Sequence, residues 1–142
     1  MNELEGGCHC GNISVLYRTG VAPEEAVPRA CQCDFCRKHT TSAVSDPDGD
    51  LTISVRDGDL LNRYQFGLKA ADFLICRECG VYVAAFMPDP DDANGFATLM
   101  SSALDDRTRY REAQPTVYEG EDEAGRRQRR RERWTPAKLE TA

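Results

Sequence analysis

Seven cysteines carry the chemistry legible in this chain, and they fall in three clusters: Cys8-His9-Cys10, Cys31-Gln32-Cys33-Asp34-Phe35-Cys36 and Cys76-Arg77-Glu78-Cys79-Gly80. Neighbours within a cluster are separated by two residues or fewer, which lets several thiolates converge on one ion. Disulfides need a particular Cα separation and side-chain direction, and an odd count leaves one thiol over. The pattern therefore reads as zinc ligation. A closed structural zinc takes four ligands in a tetrahedron, whereas a catalytic zinc keeps one position open. The simplest partition joins the two pairs, Cys8, Cys10, Cys76 and Cys79, into a closed four-sulfur site. Cys31, Cys33 and Cys36 then hold a second zinc with one position free. His39, three residues after Cys36, is the alternative fourth ligand that would close this site too. His9 reads as a turn residue beside the metal rather than a ligand.

Local chemistry agrees with this division. Gly11 follows Cys10 and Gly80 follows Cys79. Glycine there permits a tight turn with positive φ that aims backbone amides at the sulfurs. In an extended Cys-x-Cys the two thiols share a side. Cys33 and Cys36 have the spacing of neighbours on a helix, so a helix is expected to begin near Asp34. The closed site would tie the N-terminal segment to a distant hairpin and couple zinc binding to folding.

The elements that must position these sulfurs are mostly strands. Ile13, Val15 and Tyr17 alternate with Ser14 and Leu16, and Leu51, Ile53 and Val55 alternate cleanly with Thr52 and Ser54. An Asp57-Gly58 turn follows, then Leu60–Phe66, a pattern that predicts a hairpin between the two runs. Phe73–Ile75 leads into the third cysteine cluster and Val81–Phe86 leads out, predicting two strands joined at a metal knuckle. Phe96–Met100 reads as a further strand, and Pro88–Asp92 as a loop, because prolines do not fit a central strand. Residues from about 119 to 134 are almost all charged, with Arg126, Arg127, Arg129, Arg130, Arg131 and Arg133 late in the run. Asp122 and Glu123 stand four residues before Arg126 and Arg127, which predicts an exposed helix with acids first and bases last, stopped by Thr135-Pro136.

Composition bounds the rest. The chain has 142 residues, 40% hydrophobic and 30% charged, with 11 glycines, 7 prolines and a net charge of −6. That fits one modest globular core, and the mean field opposes general binding to nucleic acid or acidic membranes. No apolar run approaches the roughly 20 residues of a membrane helix, and the first residues have no export signal. Reduced cysteines then suit the cytoplasm.

The three cysteine motifs, Gly7-Cys8-His9-Cys10-Gly11, Cys31-Gln32-Cys33-Asp34-Phe35-Cys36-Arg37 and Cys76-Arg77-Glu78-Cys79-Gly80, resemble those of the glutathione-dependent formaldehyde-activating enzyme family, which also includes centromere protein V. The resemblance spans roughly residues 4 to 118 and covers all seven cysteines. It implies a mainly β fold, a zinc-bound tent of twisted antiparallel sheets with short helices. It also implies two zinc ions per chain, a structural one on Cys8, Cys10, Cys76 and Cys79 and a more labile one on Cys31, Cys33 and Cys36. The expected organisation is a zinc domain over residues 1–118 and a charged, helical C-terminal extension over residues 119–142. Gln32 departs from the family, many of whose members have histidine there.

The activity implied is that of a carbon–sulfur lyase, joining a small thiol such as glutathione to an aldehyde such as formaldehyde. A thiol held as thiolate near neutral pH would attack the aldehyde to give a hemithioacetal. Arg37 or Lys38 would orient a carboxylate or the developing oxyanion, and His39 would move the proton. The alternative is a non-catalytic zinc module that docks a protein or nucleic acid through the basic helix. Exposed strand edges leave room for a homo-oligomer.

Overall fold

The computed structural model describes residues 1–92 and 94–142. Thirteen elements follow one another in the order β1 (Asn2–Gly7), β2 (Ile13–Thr19), β3 (Arg29–Cys31), α1 (Asp34–His39), β4 (Ala43–Val44), β5 (Asp50–Val55), β6 (Leu61–Tyr64), β7 (Asp72–Cys76), β8 (Tyr82–Pro88), β9 (Gly95–Met100), β10 (Gln114–Thr116), α2 (Glu123–Arg133) and β11 (Thr135–Thr141). The fold is mainly β, as the cysteine motifs and alternating runs predict.

Strand β9 is the junction. It pairs antiparallel with β8, with β11 and with β4. One wing runs β1-β2-β5-β11 and reaches β9. A second runs β6-β7-β8, and a third continues from β4 through β3 to β10. Most pairs are antiparallel, but β11 lies parallel to β5 and β10 parallel to β3.

Two of the sequence expectations change here. Asp57-Gly58 does not join a hairpin. Asp57 instead accepts a bond from the Asp59 amide and caps a short 3-10 turn over Gly58–Leu60. Strand β5 pairs with β2 and β11, while β6 pairs with β7. The alternation of Leu51, Ile53 and Val55 requires a buried face, and β2 supplies it through Tyr17, Val15 and Ile13 in register. The turn dipeptide specifies a change of direction but not a partner.

The charged run does form a helix, α2, with Asp122 accepting from the Gly125 amide as its cap. It is not a free arm, because the chain continues into β11, which inserts between β5 and β9. Pro136 stands ahead of the β5 ladder, which begins at Ala137, so its missing N–H breaks no bond to β5. Residues 119–142 are thus joined to the sheet.

Two apolar clusters result. The first contains Ile13, Val15, Leu51, Ile53, Leu74, Val83 and Leu99, and Cys8 and Cys76 belong to it. The second contains Ala71, Phe73, Tyr82, Ala85, Met87, Met100 and Trp134, with Phe35 and Phe66 packed against it.

Candidate metal centres and the adjoining cavity

The β1–β2 turn carries Cys8 and Cys10, and the β7–β8 turn carries Cys76 and Cys79. Asn12 fixes the first turn: its side chain donates to the Asp57 carbonyl at 3.1 Å and accepts from the Asp57 amide at 2.9 Å. The second is held by the Arg77 amide donating to Leu60 O at 2.8 Å. The four sulfurs lie within 4.8 Å of one another, with Cys8–Cys10 at 3.8 Å and Cys10–Cys76 at 3.5 Å. Thiolates placed tetrahedrally around zinc at about 2.3 Å stand about 3.8 Å apart, so the donor set fits that ion. The Ile13 amide points at Cys8 Sγ at 3.1 Å and the Cys79 amide at Cys76 Sγ at 3.5 Å, donors that stabilise thiolate charge.

Gly11 and Gly80 have φ of +87° and +80°, as the turn geometry requires. A Cβ on Gly80 would meet nothing within 4 Å, so its substitution isolates the backbone cost. Gly80→Ala is expected to lower stability by about 1–2 kcal/mol, read as a shift in the denaturant midpoint.

Cys31 ends β3, Cys33 caps α1 and Cys36 lies in its first turn. The Cys36 amide donates to Cys33 Sγ at 3.4 Å. These three sulfurs also lie within 4.8 Å of one another. The hydrogen bond from Cys36 holds the Cys31 thiol down to about 5. The same bond, with burial, pushes the Cys36 thiol up. Both cysteine groups named from the sequence are therefore gathered, and each could hold a metal ion.

The two groups differ in surroundings. None of the tetrad lines the cavity beside α2, whereas Cys31, Cys33 and Cys36 all do. This cavity is about 260 Å³. Its apolar wall comes from Phe66, Phe73, Tyr82, Ala85, Met100 and Trp134, largely the second apolar cluster. Burial pushes the Tyr82 phenol well above its ordinary value, so its hydroxyl stays protonated.

Arg37, Lys38 and His39 do not reach this space. All three are exposed and none lines the cavity. Arg37 faces Asp34 at 3.9 Å. The His39 ring lies against Phe35, centroids 4.5 Å apart, and is outside the group of sulfurs gathered at the trio. The short helix α1 directs Cys36 inward, and the residues that follow it turn to solvent.

The cavity's cations come from elsewhere. Arg29, Lys69, Arg126, Arg129 and Arg130 line it, against one acid, Glu119. Glu121 accepts from Arg126 at 3.3 Å and from Arg129 at 2.7 Å, latching the start of α2. Arg129 also lies 3.8 Å from the Tyr118 ring centroid, and Arg29 donates to Tyr118 Oη at 3.4 Å. The sequence placed these arginines on a helix but not on the cavity side. Their signal was weak, because a charged run reads alike whether it faces water or a polar pocket. Three buried side-chain atoms lack a hydrogen-bond partner among the described residues, Thr41 Oγ1, Thr116 Oγ1 and Arg130 Nε. All three residues line this cavity. Leaving such a group unpaired costs about 1–3 kcal/mol, a common mark of a site that receives a ligand.

The family model described as glutathione-dependent formaldehyde-activating enzyme matches residues 3–121. The chain belongs to that family. A crystal structure of a Rhodobacter sphaeroides protein is similar at 29% identity, covering 71% of this chain and 87% of the other, with a TM-score of 0.52. No curated protein matches this chain significantly. Relative to the formaldehyde-activating enzyme family model, α2 and β11 lie beyond the matched span, so part of the cavity wall is built by residues outside it. Among the described residues, no helix is long and apolar enough to cross a membrane.

Proposed function

We propose that the protein is a two-zinc carbon–sulfur lyase that joins or separates a small thiol, glutathione or a similar one, and an aldehyde at the Cys31–Cys33–Cys36 site. The observation carrying this reading is the asymmetry of the two cysteine groups. Four sulfurs sit together away from the cavity, and three open onto it. Tetrahedral zinc bound to three thiolates has one position to offer. When bound there, zinc supplies a Lewis-acid position that lowers the pKa of a thiol.

The chain's own residues do the rest. Cys31, Cys33 and Cys36 hold the ion at the cavity wall. Phe73, Tyr82 and Trp134 exclude water from the space beside it. The Tyr82 hydroxyl is a protonated donor in that wall, suited to an aldehyde oxygen that gains charge. Arg37 and His39 have no part in this scheme, because they face solvent. The tetrad serves as a staple between the β1–β2 and β7–β8 turns. Reduced thiols of this kind suit the cytoplasm.

Cys33→Ala tests the reading. The residue is half-buried and belongs to neither buried cluster. The variant is expected to keep its circular dichroism spectrum, to fall from two zinc ions per chain to one, and to lose thiol-dependent aldehyde consumption. A folded variant that loses one zinc and still turns over at the parental rate would overturn the mechanism.

A further inference from the structure

Arg130 is the most unusual charge in this protein. Its side chain lies in α2 and is 8% exposed. Among the described residues no carboxylate lies within ion-pair distance of it, and its Nε has no hydrogen-bond partner. What it does have is the Trp134 ring, 4.5 Å from the guanidinium carbon. Burial lowers its pKa to about 10, with the Arg129 and Arg126 charges acting in the same direction. A buried guanidinium is normally paired, because desolvating an uncompensated charge is costly.

Arg29 repeats the pattern. Among the described residues its guanidinium donates only to neutral hydroxyls, Ser45 at 2.7 Å, Thr98 at 2.9 Å and Tyr118 at 3.4 Å. Both arginines line the cavity that the trio of cysteines opens onto. Arg126 and Arg129 in the same wall pair with Glu121, whereas among the described residues Arg29 and Arg130 have no carboxylate within ion-pair distance. The chain as a whole carries −6, so this cationic, apolar-walled cleft concentrates the opposite field and draws anions inward.

We infer that Arg130, with Arg29 in the same wall, is the recognition residue for a carboxylate on the thiol substrate, so that α2 selects an anionic thiol over a neutral one. A guanidinium presents a planar fork matched to a carboxylate. The arriving anion would pair the orphaned Arg130, and the unpartnered Thr41 and Thr116 hydroxyls stand in the same wall. The assignment deepens the proposed function and rests on it for the identity of the reacting site. It adds that selection resides in a helix outside the span matched by the family model.

The test uses full-length, metal-loaded protein and S-methylglutathione, whose blocked sulfur cannot react. Calorimetric titration is expected to show saturable binding to the parent. Arg130→Met keeps an apolar stem against Trp134, and it should weaken binding about 10- to 100-fold. Arg130→Lys should lose less. Arg127→Gln, whose parent residue pairs with Glu123 outside the cavity, should bind as the parent does. The diethyl ester of the same probe should bind the parent as poorly as the acid binds Arg130→Met. The comparison of acid with ester on the parent stands even if Arg130→Met fails to fold. Equal binding of acid and ester, unchanged affinity in a folded Arg130→Met, or no binding to the parent each overturns the assignment. Glyoxylate is titrated in parallel. Arg130-dependent binding of glyoxylate with none of S-methylglutathione would put the anion on the aldehyde and also overturn it. None of these results depends on turnover, whereas zinc content and turnover of Cys33→Ala judge the reacting site separately.

Discussion

Replacing Cys76 by Ser is expected to remove the tetrad's zinc and the folded state together. Cys76 is 1% exposed, and its sulfur lies 3.5 Å from that of Cys10 across the two turns. It also accepts the Cys79 amide and sits in the first apolar cluster with Ile13, Leu74 and Val83. A serine hydroxyl is a poor substitute for a thiolate on zinc. Apparent zinc binding at structural sites is worth about 10–16 kcal/mol near neutral pH, and whole domains are stable by about 5–15 kcal/mol. The ion's contribution is therefore as large as the net stability, and its loss leaves Cys8, Cys10 and Cys79 with nothing to hold them together. Zinc per chain and a thermal melt followed by circular dichroism check this, with Cys33→Ala as the comparison that keeps its fold. A Cys76→Ser variant with parental zinc content and an unchanged melt would show that the tetrad is no staple.

Deleting residues 135–142 is expected to unfold the protein, although these residues lie beyond the span of the family match. Strand β11 fills the gap between β5 and β9, with Ala137–Thr141 against Leu51–Val55 and Thr135–Ala137 against Gly95–Ala97. Its removal leaves two interior strands with unpaired amides and carbonyls. It also removes Ala137 from the first cluster and the Thr135 hydroxyl that accepts the buried Asp46 amide at 2.9 Å. Each lost ladder bond is worth about 1 kcal/mol, and the exposed apolar faces of Leu51, Ile53 and Val55 add to that. Together these losses approach the stability of a whole domain. Loss of the cooperative melt and of dispersed amide resonances is the outcome to look for. A truncated protein that melts like its parent would mean that β5 and β9 close on each other without β11.

These two expectations also separate the kinds of information in the chain. The cysteine groups were legible because ligand spacing is local chemistry: Cys-x-Cys, Cys-x-Cys-x-x-Cys and Cys-x-x-Cys-Gly each bring sulfurs to one side within a few residues. Strands β2, β5, β7, β8 and β9 were legible because alternation or a compact apolar run is itself the signature of a sheet with a buried face. The positive φ of Gly11 and Gly80 followed from the turns that must aim amides at sulfur. Strands β1, β3, β4, β10 and β11 were not read, since they are short or polar and become strands only through the partners they meet.

The sequence alone determined which sulfurs can share an ion, that the scaffold is β, and that a charged helix lies near residues 119–134. Tertiary structure decided what that helix does. Nothing local tells whether Arg130 meets water or a cavity wall, because that depends on where β11 anchors the end of α2 in the sheet. The same holds for Arg37 and His39, near the trio in sequence yet turned to solvent by one short helical turn, and for β5, whose partners are β2 and β11 rather than the strand that follows its turn. Spacing governs contacts between near neighbours. Which distant surfaces meet is settled only by burying all the apolar faces at once.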